Sequence, residues 1–266
     1  MNTGADPAGP GPAICAHRGG SEQAAPGTYD AYRAALELGA DFAEFDVRQT
    51  RDQVLVGFHP ARAGRARAGQ ARAGWARAGW ARTDLARGAR PVAALTYREL
   101  CRAAGYEVPL VSELASLLAG RAGAHVDLKE SGCAARAVAQ VLTALDPARV
   151  IVTTRDPAVA RRLSPAVPVG LTIGGDAAQT ALFAARLVAR PWLSRLDDVT
   201  AASASWAAVH HRTATPALLR RARGRGLKVM IWTVNGDAAL RRWLSGRGAD
   251  MVVTDQPARA IALRGR

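Results

Sequence analysis

The chain has 266 residues, 49% of them apolar, and a formal net charge of +14. That length fits one large domain, and no apolar run reaches the roughly 18 residues that cross a bilayer. The charge favours anionic partners, whether phosphoesters, lipid headgroups or nucleic acid, without choosing among them.

Along the chain, Met1 to Pro12 are rich in Gly, Pro and Ala. They have no cationic start and no apolar core, so residues 1–11 read as a flexible tail rather than a leader. Ala13–Ala16 is the first of eight short apolar segments that read as strands. The others are Phe42–Val47, His125–Leu128, Val150–Thr153, Pro168–Thr172, Trp206–Val209, Lys228–Thr233 and Met251–Val253. Helical patterns lie between most of them. Tyr29–Leu38 follows Thr28, a suitable N-cap, and stops at Gly39. Pro216–Arg225 has Thr215 as cap and Pro216 at the first helical position. Eight strand–helix units over 12–266 predict a single-domain α/β fold, a TIM (β/α)8 barrel. A doubly wound sheet is the alternative, and no Gly-x-Gly-x-x-Gly follows the first strand. Cys15, Cys101 and Cys133 have no metal-ligand spacing and fit buried thiols in a reducing compartment, the cytoplasm.

One segment breaks the rhythm. Residues 61–90 hold eight arginines and one aspartate, half of the net charge, in a decaying five-residue Ala-Arg-Ala-Gly-x repeat. A period of five fits neither a strand face nor a helix face. It reads as a low-complexity insertion. A second reading is an Arg/Trp arm, through Trp75 and Trp80, making transient contact with anionic membrane. Nucleic-acid binding is the weaker expectation.

The chemistry-bearing residues cluster early. Glu44 and Asp46 are two apart on a strand, so they share a face, the barrel interior. Two carboxylates held together need a proton or a cation, and oxygen donors suit Mg²⁺ or Ca²⁺. Asp127, in a strand-end Asp-Leu-Lys, is the third candidate ligand. Lys129 and Arg18 are candidate phosphate binders. His17 and His59, each leaving a short apolar segment, are the candidate acid and base. His125, at a strand start, reads as structural. His210 or His211 is a possible pocket residue. Trp232, with Asn235 beside it, reads as a substrate contact or, equally, as core packing.

These motifs together resemble the glycerophosphodiester phosphodiesterase family. The resemblance is carried by His17-Arg18-Gly19, the run Gly39 to Pro60, Val108 to Leu118, Val126 to Lys129, Ala148 to Pro157, Gly226 to Asn235 and Gly248 to Pro257. It spans nearly the whole chain except the tail and the insertion. It implies a TIM barrel, a divalent cation, and hydrolysis of glycerophosphodiesters to sn-glycerol 3-phosphate and an alcohol. It implies His17 and His59 as acid/base residues, Glu44 and Asp46 as ligands, and Arg18 and Lys129 near phosphate. The sequence departs from the family pattern at three places. Pro26 and Gly27 stand where the family has Glu and Asn, leaving Glu22 as the nearby carboxylate able to substitute. Asp127 stands where glutamate is common. Pro60 replaces an aspartate expected to orient the second histidine. A phospholipase D-like lipid hydrolase and a non-catalytic phosphodiester-binding barrel are the competing readings.

Overall fold

The computed structural model describes residues 11–60, 62–63, 90–174, 190–245 and 248–265. The expected tail, up to residue 10, and the repeat over 64–89 lie outside the described residues. The strands are β1 (Ala13–Ala16), β2 (Phe42–Gln49), β3 (Leu55–Gly57), β4 (Arg62–Ala63), β5 (Arg90–Pro91), β6 (Gly123–Leu128), β7 (Val150–Thr154), β8 (Val169–Ile173), β9 (Trp206–His210), β10 (Lys228–Trp232) and β11 (Met251–Thr254). The described helices are α1 (Tyr29–Glu37), α2 (Tyr97–Ala104), α3 (Val111–Leu118), α4 (Ala134–Val141), α5 (Pro157–Leu163), α6 (Arg190–Ala201), α7 (Pro216–Arg223), α8 (Asp237–Leu244) and α9 (Pro257–Arg264).

Strands β1, β2, β6, β7, β8, β9, β10 and β11 pair in parallel in that order, and β11 pairs back onto β1. The ring is a closed TIM barrel, and its eight members are the eight strands expected from the sequence. Alternation along each strand divides the core in two. Outward residues such as Ile14, Phe45, Val126, Val229 and Val252 join the helices in the main core. Inward residues such as Cys15, Phe42, Ile151, Met230 and Met251 fill the barrel. Phe42 occupies the barrel floor because β6 begins with Gly123. A Cβ at that glycine would lie 2.2 Å from the Phe42 ring.

Both expected helix caps form. The Thr28 and Thr215 side chains accept from the backbone N–H of Ala31 and Leu218. Cys15 and Cys133 are buried, whereas Cys101 is only half-buried, and all three are free thiols. Cys101 lies on α2, outside the barrel, where its Sγ accepts from the Val108 N–H. Among the described residues, no helix is long and apolar enough to cross a membrane.

Two irregularities position the functional end. First, β2 outruns the barrel, and its last residues pair antiparallel with β3, Val47 opposite Gly57. The hairpin returns the chain beside Asp46, whose carbonyl accepts from the Phe58 N–H at 2.8 Å. Second, β4 and β5 pair antiparallel, Arg62 opposite Pro91, which ties residues 62–63 to residues 90–91 just after His59.

Candidate active site

The register of β2 against β6 builds the centre. Glu44 lies opposite His125 and Asp46 opposite Asp127, all on inward positions near the C-terminal ends of their strands. Glu44, Asp46 and Asp127 each offer an oxygen within 4.8 Å of the others. Glu44 and Asp46 are each 2% exposed, so their charge is held away from water. Lys129, just past β6, places Nζ 2.7 Å from Asp46 Oδ1 and 2.5 Å from Asp127 Oδ2.

One ammonium does not neutralise three carboxylates. Burial, reinforced by the charges of Asp46 and Asp127, pushes the Glu44 carboxyl well above its ordinary range. Burial would also raise Asp46, but Lys129 and a hydrogen bond from His59 outweigh it and hold Asp46 well below. For Lys129, burial opposes the charge while Asp127 and Asp46 more than restore it, so its pKa rises. The cluster is therefore one that could hold a further cation. Three hard oxygen donors with no thiol or imidazole among them fit Mg²⁺ or Ca²⁺.

The two histidines flank this centre in matching ways. His17 follows β1, where the chain turns through Arg18 in the left-handed region, at φ 51° and ψ 36°. Gly19 makes the turn possible, because a Cβ there would meet Ala31 and Tyr32 backbone at 2.7 Å. The turn points the Arg18 N–H at Glu44 Oε2, 2.9 Å away. His17 Nδ1 donates to Asp255 Oδ1 at 2.6 Å, and its Nε2 lies 3.9 Å from Glu44 Oε2. Burial first, then Arg18, lowers the His17 pKa against the pull of Asp255, so the ring is neutral near pH 7 with Nε2 as its basic nitrogen. His59 Nδ1 donates to Asp46 Oδ2 at 2.9 Å. Arg48, paired with Glu130, donates to the His59 carbonyl and fixes the backbone beneath the ring.

The expectation that Pro60 leaves His59 without an orienting carboxylate is therefore corrected. Asp46 supplies that carboxylate from the neighbouring strand. Nor does Glu22 replace the lost glutamate: its carboxylate accepts from the Ala258 N–H at the start of α9, 2.7 Å away. Pro26 and Gly27 instead line a cavity of about 10 Å³ together with Arg18, Asp46, His59 and Tyr106, at the threshold for one water molecule. Arg18 Nε is buried there without a hydrogen-bond partner.

The remaining expected residues fall as follows. His125 is 5% exposed and burial lowers it to about 4, in keeping with a structural, neutral ring. Trp232 ends β10 half-buried, edge-on to His210 with ring centres 5.0 Å apart. Its Nε1 is buried without a partner.

Asp255 was missed as a site residue. It follows Met251 and Val253 at the same inward parity that exposed Glu44 and Asp46, so the signal was present. Asn235 holds it, donating to Asp255 Oδ2 at 2.6 Å. Burial would raise Asp255, yet the His17 and Asn235 hydrogen bonds lower it from 3.8 to about 2. Its folded form thus binds fewer protons than the unfolded chain between those values. The stabilisation is complete above about pH 4 and disappears as pH falls through 2. Replacing Asp255 with Asn is expected to cost about 2 kcal/mol in urea unfolding at pH 7, with the difference shrinking between pH 4 and 2.

The model of the glycerophosphoryl diester phosphodiesterase family matches residues 17–259. The chain belongs to that family. The family assignment makes it a phosphodiesterase, an enzyme. Solved structures of the same fold include a Silicibacter pomeroyi protein described as a glycerophosphoryl diester phosphodiesterase, with 24% identity, TM-score 0.75, and 96% and 94% of the two chains covered. The glycerophosphodiester phosphodiesterase of Thermotoga maritima matches at 19% identity and TM-score 0.71, covering 95% and 98%. A phosphodiesterase of Oleispira antarctica, solved with the product sn-glycerol-3-phosphate, matches at 19% identity and TM-score 0.70, covering 96% and 97%. At these identities the likeness is one of fold. No curated protein matches the sequence.

Proposed function

We propose that this phosphodiesterase hydrolyses glycerophosphodiesters to sn-glycerol 3-phosphate and an alcohol, with a divalent cation bound by Glu44, Asp46 and Asp127. The observation that carries the reading is the pair of imidazoles, each tied through Nδ1 to a carboxylate, on either side of one acidic cluster. The family membership and the product held by the Oleispira relative support the substrate class.

A cation held by Glu44, Asp46 and Asp127 would supply Lewis-acid charge at the phosphate. Lys129 and Arg18 neutralise the remaining phosphate charge, Arg18 through a guanidinium that still has an unpaired Nε. One histidine takes a proton from the nucleophile, water or an adjacent substrate hydroxyl, as the new P–O bond forms. The other gives a proton to the leaving alkoxide as the old P–O bond breaks. Asp255 and Asp46 hold the two rings with Nε2 as the exchanging nitrogen. Trp232 packs against the glycerol or headgroup.

The test is turnover of several glycerophosphodiesters by the EDTA-stripped protein, then with Mg²⁺ or Ca²⁺ restored. Turnover is expected to fall by about 10²-fold or more on stripping and to recover with the ion. Undiminished turnover in EDTA removes the cation from the reading. Binding without turnover in restored ion replaces hydrolysis with a phosphodiester-binding role.

A further inference from the structure

Asp127 is held by more than Lys129. The β6–β7 register sets it opposite Thr153, whose hydroxyl lies 3.0 Å from Asp127 Oδ1. Thr153 Oγ1 also lies 2.8 Å from His125 Nε2. On the far side of the same ring, Nδ1 is 3.8 Å from the Sγ of Cys15, on β1. Thr153 is 1% exposed, His125 5% and Cys15 0%, so water does not compete for these contacts.

Donor and acceptor chemistry gives the chain one direction. An ionised carboxylate only accepts, so the Thr153 O–H donates to Asp127. The hydroxyl oxygen is then the acceptor for the His125 Nε2–H. His125 Nδ1 carries the lone pair and meets the weak S–H donor of Cys15. All three hydrogens point towards Asp127 Oδ1, while Asp127 Oδ2 faces Lys129. With one contact on each oxygen, the carboxylate is locked in a single orientation. The Thr153 methyl is seated as well, since it packs where Gly170 leaves room: a Cβ on that glycine would lie 3.3 Å from it.

We propose that Thr153 is a positioning residue of the cation site, fixing Asp127 through a buried relay anchored by His125 and Cys15. This rests on the reading of Glu44, Asp46 and Asp127 as ligands. Partners that orient a ligand typically govern about 10- to 100-fold in ion affinity.

The test is direct calorimetric titration of Mg²⁺ and Ca²⁺ into the EDTA-stripped full chain and three variants, with circular dichroism to check folding. Thr153→Val keeps the shape and the methyl but lacks the hydroxyl. It is expected to bind the ion about tenfold more weakly. Thr153→Ser keeps the hydroxyl and is expected to bind within about threefold of the parent. His125→Gln retains an N–H near Nε2 and is expected to follow the serine variant. It keeps the proposal falsifiable if the valine variant folds poorly: with the Thr153 hydroxyl and an N–H beside it both intact, binding about tenfold weaker than the parent's then overturns the relay. Unchanged affinity in Thr153→Val also overturns it. A parent chain that binds neither ion overturns the ligand reading itself, and the relay with it.

Discussion

Alanine in place of His17 or His59 is expected to lower kcat on a glycerophosphodiester by about 10²–10⁴-fold, with KM changed far less. Each imidazole has its Nδ1–H committed to a carboxylate, buried Asp46 or partly exposed Asp255, and neither ring belongs to the hydrophobic core clusters. The loss should therefore fall mainly on the chemical step, with a smaller loss of stability where Asp255 or Asp46 gives up its hydrogen bond from the ring. An activated substrate separates the two roles. With a p-nitrophenyl phosphodiester, the leaving group no longer needs a proton, so the variant lacking the acid recovers and the variant lacking the base does not. Steady-state assays with both substrates decide the matter. Near-normal turnover by both alanine variants on the unactivated substrate removes the histidines from the reaction.

Lys129 should give the second large effect, and its sign depends on the cation. In EDTA, Lys129→Met leaves three carboxylates within 4.8 Å without the ammonium that contacts two of them. Breaking a buried charge pair from one side costs about 3–5 kcal/mol. The stripped variant is thus expected to unfold at markedly lower urea than the parent. A divalent cation replaces the missing charge, so millimolar Mg²⁺ or Ca²⁺ should restore much of that stability. Turnover should stay low, by about 10²-fold, because the proposed phosphate-binding ammonium is gone. Urea unfolding with and without the ion checks this. Equal loss under both conditions means that the ammonium is not sharing its site with a cation.

Much of the candidate site's geometry was legible because it obeys a local period. Side chains at i and i+2 share a strand face, which put Glu44 with Asp46 and would equally have found Asp255 from Met251 and Val253. The turn after β1 was marked by His17-Arg18-Gly19, where only glycine tolerates α1 so close. The departures were also visible, but their consequences were not. Pro60 removed a carboxylate from the local sequence, and Asp46 provides one across the hairpin. Glu22 looked placed to substitute at the site, and it caps α9, 236 residues further along the chain.

By itself the sequence determined the eight strands, their order and which of their residues face inward, since these follow from hydrophobic alternation and from turn and cap residues within a few positions. Only the tertiary structure decided which inward groups meet. Closure of β11 onto β1 brings Asp255 to His17, the β2–β6 register brings Asp46 to Asp127, and the β6–β7 register sets Thr153 beside Asp127. Those pairings depend on strand stagger around the ring, a property of the closed sheet as a whole that no local stretch of residues encodes.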